Sequence, residues 1–313
     1  MKLLITGATG FVGSNFINKY KDKYDIQTFS FLNDDINVLD CHGLDVVVHL
    51  SALVHQMGGT SKEEYEKVNV TQTLELARKA KESGVKHFIF MSTVKVYGEE
   101  TSVAYNENSE CLPQDEYAKS KLKAERELLK LEDESFRVSI IRTPIVYGYG
   151  VKANIKNLIN LVSKVSVLPF AGIDNKRSMV YVGNLCYLVN VLIDRSVGLD
   201  CRASLAMTEK ESFAMTEEAS FAMTEGSVFL ASDDAAVSTT RLIELIADGL
   251  GKKVYLVKIP FFESFLKLVK PSFHKRLYGS LEVDNSLTKQ KLNLKNPYSV
   301  EDGIKLMLTK GTK

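Results

Sequence analysis

Short apolar runs alternate with stretches of helical periodicity through the first half of the chain. Leu3-Leu4-Ile5 and residues 25–31, 44–50, 86–92 and 137–142 each read as a strand. In 44–50 the centre, Val46-Val47-Val48, is continuously apolar, as in a strand covered on both faces. Between the runs, Phe11, Phe16 and Ile17 carry helical spacing, and 62–83 gathers Val68, Leu74, Leu76 and Ala77 into one amphipathic helix closed by Gly84. Residues 115–131 read as the next helix, and Pro144 is expected to end the regularity. Strands and helices at this interval imply right-handed crossovers, so the predicted class is α/β with a doubly wound parallel sheet.

Beyond about residue 150 the alternation loosens. Residues 154–165, 185–193 and 239–250 read as helices, and 179–182 and 229–231 as extended. The run PFFESFLKLV at 260–269 ends in Lys267 and Lys270. It reads as a core helix of a smaller C-terminal α/β lobe, the competing reading being a helix lying on a membrane surface. The expected division is 1–150 and 151–313, with some segments of the second part returning to the first. Residues 204–227 stand apart: three copies of an eight-residue unit, S-[L/F]-A-M-T-E-x-x, begin at Ser204, Ser212 and Ser220. A solenoid unit takes roughly 20 residues or more, so a duplicated surface loop without chemistry is expected.

Charge narrows the choice of partner. Forty basic residues against 39 acidic give no electrostatic case for nucleic acid. No apolar run reaches the roughly 18–20 residues of a membrane span, and the start is too glycine-rich for a signal peptide. Cys41, Cys111, Cys186 and Cys201 lack paired spacing, so reduced thiols in a cytoplasmic protein are expected. The five histidines include no H-E-x-x-H, so no metal is expected, and His49 and His55 read as a strand and a loop residue.

Candidate chemistry starts at Thr6-Gly7-Ala8-Thr9-Gly10-Phe11-Val12-Gly13, between the first strand and the first helix. Glycine permits the tight turn and lets a diphosphate approach the backbone, while the helix start offers N–H groups and partial positive charge. On the helix at 115–131, Tyr117 and Lys121 are one turn apart and share a face. An ammonium near a phenol favours the phenolate, so Lys121 is expected to lower the Tyr117 pKa from about 10. Thr93, at the end of the 86–92 strand, lies where parallel sheets bind ligands. Its hydroxyl could orient a substrate oxygen or simply cap the strand.

These segments together resemble the extended short-chain dehydrogenase/reductase family, in its nucleotide-sugar epimerase, dehydratase and reductase branch. GATGFVG, STVKVYG around Thr93 and YAKSK carry the resemblance. HLSALVH is similar to the family's H-x-A-A loop, and VNVTQT to V-N-x-x-G-T with Gln72 in the glycine's place. RTPIVYGYG and KRSMVYVGNL match the proline turn and the R-x-x-x-Y-V segment.

The resemblance implies a Rossmann-type sheet and a catalytic set of Thr93, Tyr117 and Lys121. Gly7, Gly10 and Gly13 would hold the cofactor diphosphate, Phe11 and Val12 would also touch cofactor, and Asp35 and Ile36 would contact adenine. Ser51 and Ala52 would face the nicotinamide side, and Leu50, Pro144, Tyr117 and Lys121 would also touch cofactor. Lys95, Asn154 and Arg177 would bind substrate beside Thr93, Arg177 through a phosphate.

Departures from the family pattern narrow the cofactor and the reaction. The second strand ends near Ser30 without the ribose-binding acid, yet no Lys or Arg between Thr28 and Asp35 meets a 2′-phosphate. NAD is therefore favoured and NADP stays open. Val94 and Lys95 replace the acid pair of dehydratases, which argues against dehydration. The implied reaction is C4 epimerisation of a nucleotide-linked sugar, a UDP-hexose or UDP-N-acetylhexosamine, through a 4-keto intermediate. Reduction of a 4-keto-6-deoxy sugar and a non-catalytic cofactor sensor are the alternatives. A homodimer through the helices at 62–83 and 115–131 is implied by analogy.

Overall fold

The computed structural model describes residues 1–54, 60–206 and 228–309. The repeat segment expected as a loop at 204–227 begins within the end of a helix, Val182–Ala206, and its residues 207–227 lie outside the described residues, as does His55. A six-stranded sheet runs in the order β2-β1-β3-β4-β5-β9, from β1 (Lys2–Thr6), β2 (Asp25–Phe29), β3 (Val46–His49), β4 (His87–Thr93), β5 (Arg137–Thr143) and β9 (Val228–Leu230). Pairings β1–β2, β1–β3 and β3–β4 are parallel, Ile5 standing opposite both Thr28 and Val48. The sheet is doubly wound, and strand order reverses beside β1, so the carboxyl ends of β1 and β3 flank its switch point.

The chain forms two compact units. The first comprises Met1–Val96, Asp115–Arg142 and Leu188–Phe229; the second comprises Tyr97–Gln114, Thr143–Tyr187 and Leu230–Lys313. A single boundary near 150 does not capture this, because 97–114 belongs with the second unit. In the first, Leu4, Val47, Phe88 and Ile140 of the sheet meet Leu76, Ala77, Ala124 and Leu128 of the helices in one buried cluster. The inner strands β1, β3, β4 and β5 are buried along nearly their whole length, as strands covered on both faces are, whereas the edge strand β2 exposes Asp25, Gln27 and Thr28. In the second, β7 (Val167–Leu168) pairs in parallel with β10 (Tyr255–Leu256).

Three sequence expectations change. The single helix at 62–83 is instead α2 (Lys62–Tyr65), a π-helix (Glu66–Thr71) and α3 (Gln72–Glu82). Its widened middle lies where buried Asn69 bonds to groups outside the helix, a demand that local periodicity does not encode. Pro144 does not end regular structure: β6 (Ile145–Tyr147) follows at once and pairs in parallel with β8 (Met179–Tyr181). The 260–269 segment contributes a helix, Phe262–Val269, but not one enclosed by the core. Leu266 is buried and Phe262 packs on the second unit's core, whereas Phe261, Phe265, Leu268 and Val269 face outward. Among the described residues no helix is long and apolar enough to cross a membrane.

Candidate active site

The glycine turn joins β1 to α1 (Phe11–Tyr20). Gly7 has φ +68°, and a Cβ there would lie 2.9 Å from the Leu50 carbonyl carbon and from the Ser51 nitrogen. Glycine thus lets this turn press on the backbone leaving β3. Gly10 donates its N–H to the Gly7 carbonyl at 2.9 Å and precedes Phe11 and Val12. Buried Gly13 packs against the same turn, where a Cβ would strike Gly7 and Ala8. Among the described residues no side chain caps α1, and its first turn holds no acid. Open N–H groups, helix polarity and a turn that added Cβ atoms would crowd fit a dinucleotide diphosphate. Beyond β2, the Asp35 carboxylate accepts from the Asn37 backbone and side chain at 2.9 Å, and Ile36 packs on the core.

A buried chain of hydrogen bonds runs from this turn to the next helix. Ser51 N–H donates to Thr6 Oγ1 at 3.2 Å, and Thr6 Oγ1 meets His49 Nδ1 at 2.7 Å. His49 Nε2 meets Thr73 Oγ1 at 3.0 Å, and that hydroxyl donates to the Asn69 carbonyl at 2.9 Å. With the Thr73 proton so engaged, His49 carries its proton on Nε2 and accepts from Thr6 at Nδ1. Burial pushes the His49 pKa down to about 3, and the Lys121 charge acts in the same sense. Asn69 Oδ1 accepts from Leu53 N–H at 2.8 Å; its Nδ2 donates to the Leu53 carbonyl and to Ser120 Oγ, both at 3.0 Å. Ser120 Oγ donates to the Tyr117 carbonyl at 2.8 Å. Sequence reasoning assigned none of Thr6, Thr73, Asn69 or Ser120; the available signal was a polar residue, Asn69, amid the apolar positions of its helix.

Tyr117 and Lys121 occupy α4 (Glu116–Leu129), whose start Asp115 caps by accepting from Ala118 N–H at 2.7 Å. Thr93 is the buried last residue of β4, its hydroxyl accepting from Lys95 N–H at 3.3 Å. Lys95, expected on substrate, pairs with Asp115 at 2.5 Å. Its charge therefore steadies the cap of the helix that carries Tyr117.

The expected lowering of the Tyr117 pKa is not found. Burial pushes the phenol up, and the Asp115 carboxylate and Tyr65 push it further. The ring keeps some exposed surface, so burial sets the direction without sealing the residue. The cation yields instead: burial takes Lys121 down to about 7, against the pull of Glu125. Its ammonium lies 3.8 Å from the centre of the Phe90 ring, a cation–π contact. Glu125 is engaged by Arg142 at 2.6 Å and by the Ser92 hydroxyl, so its charge is shared and restores little of the Lys121 value.

In the second unit, Asn154 stands in α5 (Ala153–Lys164), and Arg177 lies just before β8. Arg276 joins them: its guanidinium donates to Asn154 Oδ1 at 3.5 Å, and its carbonyl accepts from Arg177 at 2.8 Å. Burial lowers the Arg177 pKa, Glu100 opposes and Arg276 adds to the lowering. Two guanidinium groups near enough for Arg276 to lower the Arg177 pKa suit an anion beside them. Arg276 escaped the sequence reading because it lies far along the chain, in a basic helix with no distinctive spacing. Pro144 links β5 and β6, at the passage from one unit to the other.

The profile of the NAD dependent epimerase/dehydratase family matches residues 3–200. The chain is 36% identical to a UDP-glucose 4-epimerase of Vibrio cholerae, over 97% of its own length and 93% of that protein. It is 29% identical to N-acetyl-alpha-D-glucosaminyl-diphospho-ditrans,octacis-undecaprenol 4-epimerase of Escherichia coli O157:H7, covering 58% and 60%. In fold it is similar to UDP-glucuronic acid 4-epimerase from Bacillus cereus in complex with NAD, with a TM-score of 0.68, 20% identity and coverage of 98% and 97%. A dTDP-4-dehydrorhamnose reductase from Bacillus anthracis in complex with NADP superposes with a TM-score of 0.72 at 18% identity, covering 98% of each chain.

Proposed function

Since the chain belongs to the NAD dependent epimerase/dehydratase family, we propose that it epimerises C4 of a nucleotide-linked sugar, a UDP-hexose or UDP-N-acetylhexosamine. The observation that carries this reading is the placement of Tyr117 and Lys121 one turn apart on α4, in the same unit as Thr93 and the glycine turn. Val94 and Lys95 stand where dehydration would require acid and base groups, and Lys95 is committed to Asp115. A UDP-glucose 4-epimerase as the long-range relative supports the same choice.

In this reading Gly7, Gly10 and Gly13 cradle the diphosphate of a nicotinamide dinucleotide, and Ser51 and Ala52 follow β3 toward its reactive end. That group supplies, when bound, a hydride acceptor and a positive charge that favours the Tyr117 phenolate. Thr93 orients the C4 hydroxyl, Tyr117 takes its proton as the C4 hydride leaves, and a ketone remains. Were the ketone then reduced on its other face by the bound dinucleotide, Tyr117 would give the proton back to the C4 oxygen and the carbon would be inverted. Lys121 holds a ribose. Arg177 and Arg276 supply cations for the substrate diphosphate, and Asn154 a polar contact. A homodimer through α2, α3 and α4 belongs to the same proposal; light scattering of the purified chain checks it.

The test is incubation of the purified protein with UDP-glucose and UDP-N-acetylglucosamine, followed by NMR of the products and identification of the nucleotide released on denaturation. A C4 epimer formed without added cofactor, with NAD released, is the expected result. Consumption of NADPH by a 4-keto-6-deoxy sugar without epimer formation would make the protein a ketoreductase. Dinucleotide binding without turnover of either class would leave a sensor.

A further inference from the structure

We propose that the outward face of the helix Phe262–Val269, with the segment leading into it, docks on an anionic lipid bilayer surface. This helix is held by one side: Leu266 is buried and Phe262 packs on the second unit's core. Phe261, Phe265 and Leu268 recur at helical spacing on another stripe, with 85%, 58% and 84% of their surface exposed. Val269 on the same helix, and Val257 and Ile259 just before it, extend the apolar exposure. Phe261 has φ +62°, a left-handed conformation unfavourable for a bulky residue. The fold thus strains an aromatic residue and still leaves it in water.

Charge selects the occupant. Residues 252–270 contain five lysines and one acid, Glu263, in a chain whose net charge is +1. Lys253, Lys258, Lys267 and Lys270 are exposed around the apolar stripe. Aromatic and aliphatic side chains at the centre of a basic rim fit the acyl boundary and the headgroups of an anionic leaflet. A second copy of the chain fits poorly, because a two-fold contact would set these lysines against their own equivalents. At eight residues the helix is far too short to span, so the contact is one of lying on the surface.

The experiment is co-sedimentation of the full chain with phosphatidylcholine vesicles, with and without phosphatidylglycerol. Binding is expected to the phosphatidylglycerol vesicles and to weaken with added salt. Phe265→Ser/Leu268→Ser should lower the partition coefficient by roughly tenfold or more. Lys258→Gln/Lys267→Gln/Lys270→Gln should lower it by about 100-fold on the anionic vesicles, each lysine counting for about a factor of five. Dinucleotide binding should be unchanged in both variants, which shows that they fold; if the apolar variant fails to fold, the lysine variant and the two vesicle compositions still decide. The proposal is overturned if the unmodified chain stays in the supernatant, or binds both vesicle types equally. It is also overturned if light scattering finds a dimer that Phe265→Ser/Leu268→Ser splits while no vesicle binding occurs, which would make the face a contact between copies.

Discussion

Asn69 and Ser120 hold each other across 51 residues of chain, the Asn69 amide donating to the Ser120 hydroxyl at 3.0 Å in a fully buried setting. The same Asn69 side chain closes two bonds to the Leu53 backbone. One residue of the π-helix therefore fixes both the segment after β3 and the helix that bears Tyr117. Replacing it with alanine strands the partly buried Leu53 N–H and carbonyl, at about 2–4 kcal/mol in all. Asn69→Ala should lower the thermal midpoint by roughly 5–10 °C and reduce turnover as well. An unchanged midpoint would show that these bonds are replaced by water.

Tyr117→Phe separates an acid/base group from a packing residue. The ring stays and only the hydroxyl goes, so dinucleotide binding and the melting curve should be preserved. Turnover should fall by about 10²–10⁴-fold, the ordinary contribution of general acid–base catalysis. Activity within a factor of about three of the unmodified enzyme, well short of that range, would remove Tyr117 from the mechanism.

Two buried imidazoles predict the acid limb of stability. Burial pushes His49 and His87 down to about 3, with Lys121 and Arg137 respectively adding to the effect. The unfolded chain takes up protons near pH 6.5 that the folded chain refuses until about pH 3. Stability therefore rises with pH across that window and is lost as pH falls through it. The slope is on the order of 1.4 kcal/mol per pH unit for each residue. Denaturant melts between pH 5 and pH 7 should show it, and His49→Gln should remove about half of it. An unaltered slope in His49→Gln would mean that His49 is charged or solvated in the fold.

The glycines of the first turn should divide into two kinds. Gly10 has φ −72°, which any residue adopts, and a Cβ there finds the Gly7 carbonyl oxygen at 3.0 Å. Gly10→Ala should fold and lose roughly tenfold or more in NADH affinity, measured by fluorescence titration. At Gly13 the neighbours of an added Cβ are the Gly7 and Ala8 backbone, which cannot give way without moving the turn. Gly13→Val should fail to fold stably, visible as loss of cooperative melting. Equal behaviour of the two variants would remove the distinction between a ligand-facing and a packing glycine.

The first strand, the glycine turn and the helix after it were legible in the chain alone, because turn conformation and helix polarity are local properties of a few residues. So was the shared helical face of Tyr117 and Lys121, since a separation of four is one turn in any α-helix. What those two groups are electrically came from packing. Desolvation depends on what surrounds a side chain, and here it raises Tyr117 and lowers Lys121, the reverse of what an ammonium beside a phenol suggests in isolation. Long-range packing also set Lys95 on Asp115 and brought Arg276 to Arg177 and Asn154 across separations of 99 and 122 residues. The apolar run at 260–269 was plain in the sequence, but periodicity alone does not say which stripe of a helix meets the core. That was settled by the second unit, which had room against it for Phe262 and Leu266 and left Phe261, Phe265 and Leu268 outside.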